Sequence, residues 1–251
     1  MEIGGAVVIV TGAARDAGLA IARALLARGA SVLAVDADGD ALAALPATLA
    51  SEALATHACD LASAEACEGM VAAARERFGK LDALVHAAGL AAKRTVGAGG
   101  LLEVDDGGYE AIVGPELRGA FFANRAALKA LTAQRRGEVV NVAATSGRKG
   151  RAFDSIGSAA QAGVIGMSES LAEEVRAFGV RVQCVLAPTA LEIAGGDGPA
   201  GGSPSGERIA DAVLFCLGLP ADACCENLVV QPFSGGRSRA RKAATRPSAD
   251  G

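Results

Sequence analysis

Residues 6–36 read AVVIVTGAARDAGLAIARALLARGASVLAVD. The opening run Ala6-Val7-Val8-Ile9-Val10 is apolar without alternation, as a strand buried on both faces of a parallel sheet must be. Thr11-Gly12 ends it. Residues 17–28 carry apolar side chains at helical spacing and stop at Gly29, a natural C-terminal cap. Residues 31–35 are again a short apolar run. Strand, helix and strand within about thirty residues make a βαβ unit.

The alternation continues outward from this unit. The pattern predicts a helix over 40–54 despite Pro46, a strand over 56–59, and a helix over 63–78 with Ser63 as N-cap. A strand over 81–86 follows, then a long helix over 109–133 with Pro115 early enough to kink it. The remainder reads as strand 138–143, helix 156–178 capped by Gly179, strand 181–186, helix 207–217 and a last strand 227–233. Strands alternating with helices imply an α/β fold: one doubly wound, Rossmann-type parallel sheet with helices on both faces, in a single domain over 1–236. Residues 195–206 are Gly, Pro and Ser-rich and are expected to be a flexible loop. Residues 237–251 carry five basic side chains without apolar periodicity and are expected to be a disordered tail.

Composition excludes several classes. The 24 basic and 28 acidic residues give a net charge of −4, which argues against nucleic acid as a partner. Apolar residues make up 51%, so the chain is no disordered protein, and aromatics are only 3%, so the core is built from Ala, Val and Leu. No apolar run reaches the ~18 residues of a membrane span. The first residues have neither the charged region nor the cleavage site of a signal peptide, so a cytoplasmic location without membrane attachment is expected. The six Cys form no Cys-x-x-Cys and meet no paired His, so no metal site is expected.

A set of short motifs recurs in a meaningful order. They are Thr11-Gly12 after the first strand, Asp60-Leu61 after the third and His86-Ala87-Ala88-Gly89 after the fourth. Leu117-Arg118-Gly119-Ala120-Phe121 lies in the long helix, Val140-Asn141-Val142 in the fifth strand, and Ala187-Pro188 after the sixth. In this order they resemble the short-chain dehydrogenase/reductase family over residues 1–236. The resemblance implies a nicotinamide cofactor, a Tyr activated by a Lys four residues on, a Ser that orients the substrate oxygen, and an Asn that completes a proton relay.

Carried over residue by residue, the resemblance finds none of these groups. The Ser position is Ala144; the Tyr position, 13 residues further, is Gly157; the Lys position is Gln161; the Asn position is Glu116. Register shifts offer Thr145, Ser146, Ser155 or Ser158 as hydroxyls, but Tyr109 is the sole Tyr and no Tyr-x-x-x-Lys exists. The Gly-rich turn reads Thr11-Gly12-Ala13-Ala14-Arg15-Asp16-Ala17-Gly18, with Asp16 where the family has the Gly that admits the cofactor diphosphate. Asp16 is expected either to block that site or to cap its own helix. Gly12, Gly18, Asp36 (the ribose position) and Asp60 (near the adenine position) are expected to be vestiges of the cofactor site, although Asp36 also suits a turn with Asp38 and Gly39. His86 stands where the family often has Asn and reads as packing.

These losses lead to the functional expectation. The chain is expected to bind no cofactor, to have no catalytic residues, and to be the non-catalytic subunit of a heteromeric NAD-dependent short-chain alcohol dehydrogenase. An active paralogue would carry the NAD and the Tyr-Lys pair, in a mixed dimer or tetramer built on the helices 109–133 and 156–178. The pattern of losses is similar to that of an inactive subunit in a two-subunit dehydrogenase acting on a hydroxyacyl-CoA. The alternative is a homo-oligomeric ligand-binding or regulatory protein that uses the old cleft; an unrelated chemistry with Glu116 or Asp154 as base is a third.

Overall fold

The computed structural model describes residues 1–89, 101–188 and 206–231. Seven strands run parallel: β1 (Val7–Thr11), β2 (Ser31–Asp36), β3 (Leu54–Ala58), β4 (Ala83–His86), β5 (Gly137–Ala144), β6 (Val180–Ala187) and β7 (Asn227–Val229). Their order is β3-β2-β1-β4-β5-β6-β7, so the chain reverses direction across the sheet beside β1. The helices are α1 (Asp16–Ala27), α2 (Gly39–Ala43), α3 (Leu45–Leu49), α4 (Ala64–Phe78), α5 (Asp106–Val113), α6 (Gly119–Ala133), α7 (Ser155–Val175) and α8 (Gly206–Gly218).

Alternation along β1 sorts the core. Val8 and Val10 face α1 and α8 through Ile21, Leu25, Val213 and Leu217. Ile9 faces the opposite layer, with Met70 of α4 and Ala127 and Leu131 of α6. Both faces of the sheet are therefore dry, and the strands read as unbroken apolar runs for that reason. The predicted doubly wound α/β fold is observed.

Three elements differ from the sequence expectation. The helix expected over 40–54 is two short ones. Asp38 caps α2 by accepting from the Ala41 N–H, and Pro46, which has no N–H to give, sits in the first turn of α3. The long helix starts at Asp106, capped by Asp105, and carries a π-helical turn over Gly114–Arg118 that absorbs Pro115. β7 ends at Val229, short of the predicted 233, whose final residues lie outside the described ones. The loop expected over 195–206 (all but its last residue) and the tail 237–251 also lie outside them. Ser63 caps α4 and Gly179 follows the last turn after α7 in a left-handed conformation, both as predicted.

A buried polar network holds α6 and α7 on β5. Asn141 of β5 exchanges hydrogen bonds with Asn124 of α6, at 2.9 and 3.1 Å, and donates to Ser168 Oγ of α7 at 2.9 Å. Asn124 Nδ2 and Ser168 Oγ each also donate to a carbonyl of their own helix, Ala120 O and Val164 O. A satisfied network of this kind fixes register, and losing one member strands the others. Asn141→Leu is expected to lower unfolding free energy by about 2–3 kcal/mol, read by urea titration.

Candidate active site

Open α/β sheets bind ligands beyond the carboxyl ends of strands where the chain reverses, here β1 and β4. The turn after β1 keeps the tight geometry such a site needs. Gly12 has φ +68°, and a Cβ there would lie 2.8 Å from Ala88 N. A Cβ on Gly18 would lie 1.9 Å from Gly12 O, so α1 meets β1 only because residue 18 has no side chain.

Asp16 occupies the left-handed backbone conformation that favours glycine, with φ +48°. Its expected role as a helix cap is not what the structure has: Asp16 is the first residue of α1, the N-cap is Arg15, and no side chain caps the helix. The carboxylate gains from the α1 dipole instead. Gly206, the first residue of α8, lies over the same turn, since a Cβ on it would be 3.0 Å from Asp16 O.

The other acidic residues serve the local backbone. Asp36 Oδ2 accepts from Ala14 N–H and Oδ1 from Asp38 N–H, each at 3.1 Å. The turn reading of Asp36 is thus correct in part, since it ties the Gly-rich turn to the end of β2. The Ala41 N–H first, and then an ion pair with Arg15, hold the Asp38 carboxyl below the usual range. Asp60 accepts from Ala62 N–H at 2.9 Å and shapes the turn before α4.

Gly12 and Gly18 preserve the backbone cradle of a dinucleotide. Asp16, however, sets an acid on the positive end of α1, where a diphosphate needs free N–H groups and no negative charge. Neither Gln161 nor Glu116 supplies a cation near a nicotinamide ribose. The residues present do not fit a dinucleotide.

The four positions that the family resemblance picks out do come together in part. Gln161 on α7 is buried; its Oε1 accepts from Ala144 N–H at 2.8 Å and its Nε2 donates to Glu116 Oε2 at 2.9 Å. Glu116 is 1% exposed and belongs to the π-helical turn, whose extra residue turns it into the interior. Gly157 is buried one turn before Gln161 and offers no group. Gly89 closes the cluster: a Cβ on it would be 3.5 Å from Glu116 Cγ and 3.7 Å from Gln161 Nε2. An amide has no titration in water's range, so this arrangement can hold a carboxylate in place but cannot relay a proton through residue 161.

Of the hydroxyls offered by a shifted register, Ser158 is bonded to the loop before its own helix. Ser158 Oγ accepts from Arg151 N–H at 3.3 Å. Tyr109 lines an open cavity of about 270 Å³ between α5 and α7, with Val113, Leu117 and Ile156, and forms no bond to Gln161 or Glu116. Sequence reasoning missed the Glu116–Gln161 bond itself. The signal was there, because an acid and an amide replace the two residues of one relay.

His86, at the end of β4, shares a 2.9 Å hydrogen bond between its Nδ1 and Thr11 Oγ1, while Nε2 has no partner among the described residues. It packs, as expected. Complete burial drives its pKa from the ordinary 6.5 down to about 4.

Comparison with known proteins agrees with this architecture. The short chain dehydrogenase family profile matches residues 6–192, so the chain belongs to the short-chain dehydrogenase family. It is 34% identical over 194 residues to the 2,3-dihydroxy-2,3-dihydro-p-cumate dehydrogenase of Pseudomonas putida, covering 76% of this chain and 73% of that one. It is 31% identical to the 3-oxoacyl-(acyl-carrier-protein) reductase FabG of Escherichia coli K12, covering 76% of each. Among solved structures, a short chain dehydrogenase from Mycobacterium smegmatis superposes with a TM-score of 0.79 at 26% identity, over 93% of this chain and 95% of that one. Among the described residues no helix is long and apolar enough to cross a membrane, and no His, Cys, Asp and Glu group is arranged to hold a metal.

Two outcomes follow from this geometry. Below pH 6.5 the unfolded chain takes up a proton at residue 86 and the folded chain does not until about pH 4. Stability therefore falls on acidification through that window, by about 3 kcal/mol in all, and His86→Asn should flatten this part of the pH–stability curve. Asp16→Gly removes a left-handed non-glycine residue and should raise stability by up to about 1 kcal/mol, seen as a higher melting temperature.

Proposed function

We propose that this chain is a non-catalytic subunit of a heteromeric NAD-dependent short-chain alcohol dehydrogenase, stabilising an active paralogue that carries the cofactor and the Tyr-Lys pair. One observation carries the reading. Gln161 spans from Ala144 N–H to Glu116, so three of the four relay positions are bonded to one another. A chain selected for turnover has no use for an amide at the position of the activating cation.

The scaffold favours assembly. Phe121 of α6 stands 46% exposed, and Ala159, Ala162 and Gly166 line the outer side of α7 with small residues that allow close approach. Obligate interfaces are large and more apolar than transient ones, and such surfaces left bare promote aggregation. A homodimer would cover the same surfaces but pair two inert sites. The relatives named above are a dehydrogenase and a reductase, which suits a partner of that chemistry. A cytoplasmic location belongs to this reading, since all six Cys are free thiols.

Native mass spectrometry of the protein taken from its own cell should find it bound to a second short-chain subunit that retains Ser, Tyr and Lys. The isolated chain should turn over no alcohol or ketone with NAD(H). A homo-oligomer without such a partner would favour the ligand-binding alternative, and turnover abolished by a substitution in this chain would contradict the proposal.

A further inference from the structure

β6 lies between β5 and β7 and reads VRVQCVLA, yet its fourth residue, Gln183, is a buried amide. Burying an amide is costly unless both of its ends are bonded. Gln183 Nε2 donates to Cys216 O at 3.1 Å, in the last turn of α8, and Gln183 Oε1 accepts from Cys225 N–H at 3.0 Å, in the segment that leads into β7. One side chain thus clasps the backbones of two cysteines nine positions apart. Arg181, two residues earlier on the same face of the strand, draws in the chain between them. Its guanidinium donates to Leu219 O at 3.1 Å and to the carbonyls of Pro220 and Ala223.

The clasp brings side chains together as well as backbones. Cys216 belongs to the core layer under α8, Cys225 packs against that layer, and the two thiols are within hydrogen-bond reach of each other. Thiols in contact on two clasped backbones are the starting point that a disulfide requires.

The two sulfurs suit different parts in such a reaction. Cys225 is partly exposed and Cys216 is buried, so a water-borne oxidant reaches the first and not the second. Burial pushes the Cys216 thiol up to about 12, and it stays protonated until an oxidised neighbour meets it. Cys59 and Cys67 also touch, but both are buried away from an oxidant. Among the described residues no His, Cys, Asp and Glu group is arranged to hold a metal, which leaves thiol–thiol chemistry for Cys216 and Cys225.

We propose that Cys216 and Cys225 form a reversible modification site, oxidised by hydrogen peroxide to a disulfide that ties α8 to the lead-in of β7. The Cys225 thiolate attacks the peroxide, the O–O bond breaks, and Cys225 sulfenic acid and hydroxide result. The Cys216 sulfur then attacks the Cys225 sulfur, the S–O bond breaks, and the Cys216 proton leaves with the departing hydroxide as water. In sum, two thiols and one peroxide give one disulfide and two waters. A dithiol reductant returns both thiols. β7 is a three-residue edge strand, so oxidation steadies an edge of the sheet that has few ladder bonds of its own. The site needs neither cofactor nor partner and is independent of the proposed function.

The full chain would be treated with a small molar excess of hydrogen peroxide, alkylated without reduction and mapped by mass spectrometry. One disulfide between Cys216 and Cys225 should form, should be reversed by dithiothreitol, and should raise the melting temperature by about 5 °C over the reduced chain. Cys225→Ser should form no disulfide while keeping the melting temperature of the reduced chain. Cys216→Ala should leave Cys225 as a sulfenic acid that dimedone traps, a readout that survives some loss of core packing. Cys224→Ser should oxidise as the wild type does. A disulfide from Cys224, a bridge between two chains, a Cys59–Cys67 bridge in place of the expected one, or no loss of free thiol would each overturn the proposal. So would a melting temperature lowered by oxidation.

Discussion

The Gln161 side chain sets the character of this molecule. It is held at one end by Ala144 N–H and at the other by Glu116, both buried, so it joins α7 to β5 and to the π-helical turn before α6. A buried amide must satisfy both its oxygen and its nitrogen, and a buried carboxylate must be bonded or lose its charge. Gln161 Nε2 gives Glu116 one of the hydrogen bonds a buried carboxylate needs. The pair stands at the positions where the family resemblance expects an Asn and a Lys.

The rest of the scaffold is arranged around keeping that contact in register. Asn124, Asn141 and Ser168 bind α6 and α7 to the sheet just below it. Gly147 comes so close to α7 that a Cβ would lie 2.7 Å from the Gln161 carbonyl carbon. At the other strand ends, Gly12 and Gly18 keep the tight entry of α1, and Asp36 ties the turn to β2.

Fold class was legible because both faces of the sheet are dry. Continuous apolar runs and helical spacing are the direct imprint of that burial, and Gly29, Ser63 and Gly179 mark ends by local chemistry alone. Where the sequence misled, tertiary context had the deciding part. Nothing local distinguishes Asp16 as a cap from Asp16 in a left-handed turn, because the conformation is imposed by the close approach of α1 to β1. Pro115 signalled an irregularity, but only packing shows a π-helical turn that swings Glu116 inward. The bond between Glu116 and Gln161 was not legible, since it joins residues 45 positions apart.

The central claim is that this chain contributes no reaction centre to an assembly that has one. The number of NAD molecules bound per chain in the complex isolated from its own cell tests it most directly. Equilibrium dialysis or calorimetry should give one NAD per active subunit and none for this chain, so half as many sites as chains in an equal mixture. One NAD for every chain would contradict the account.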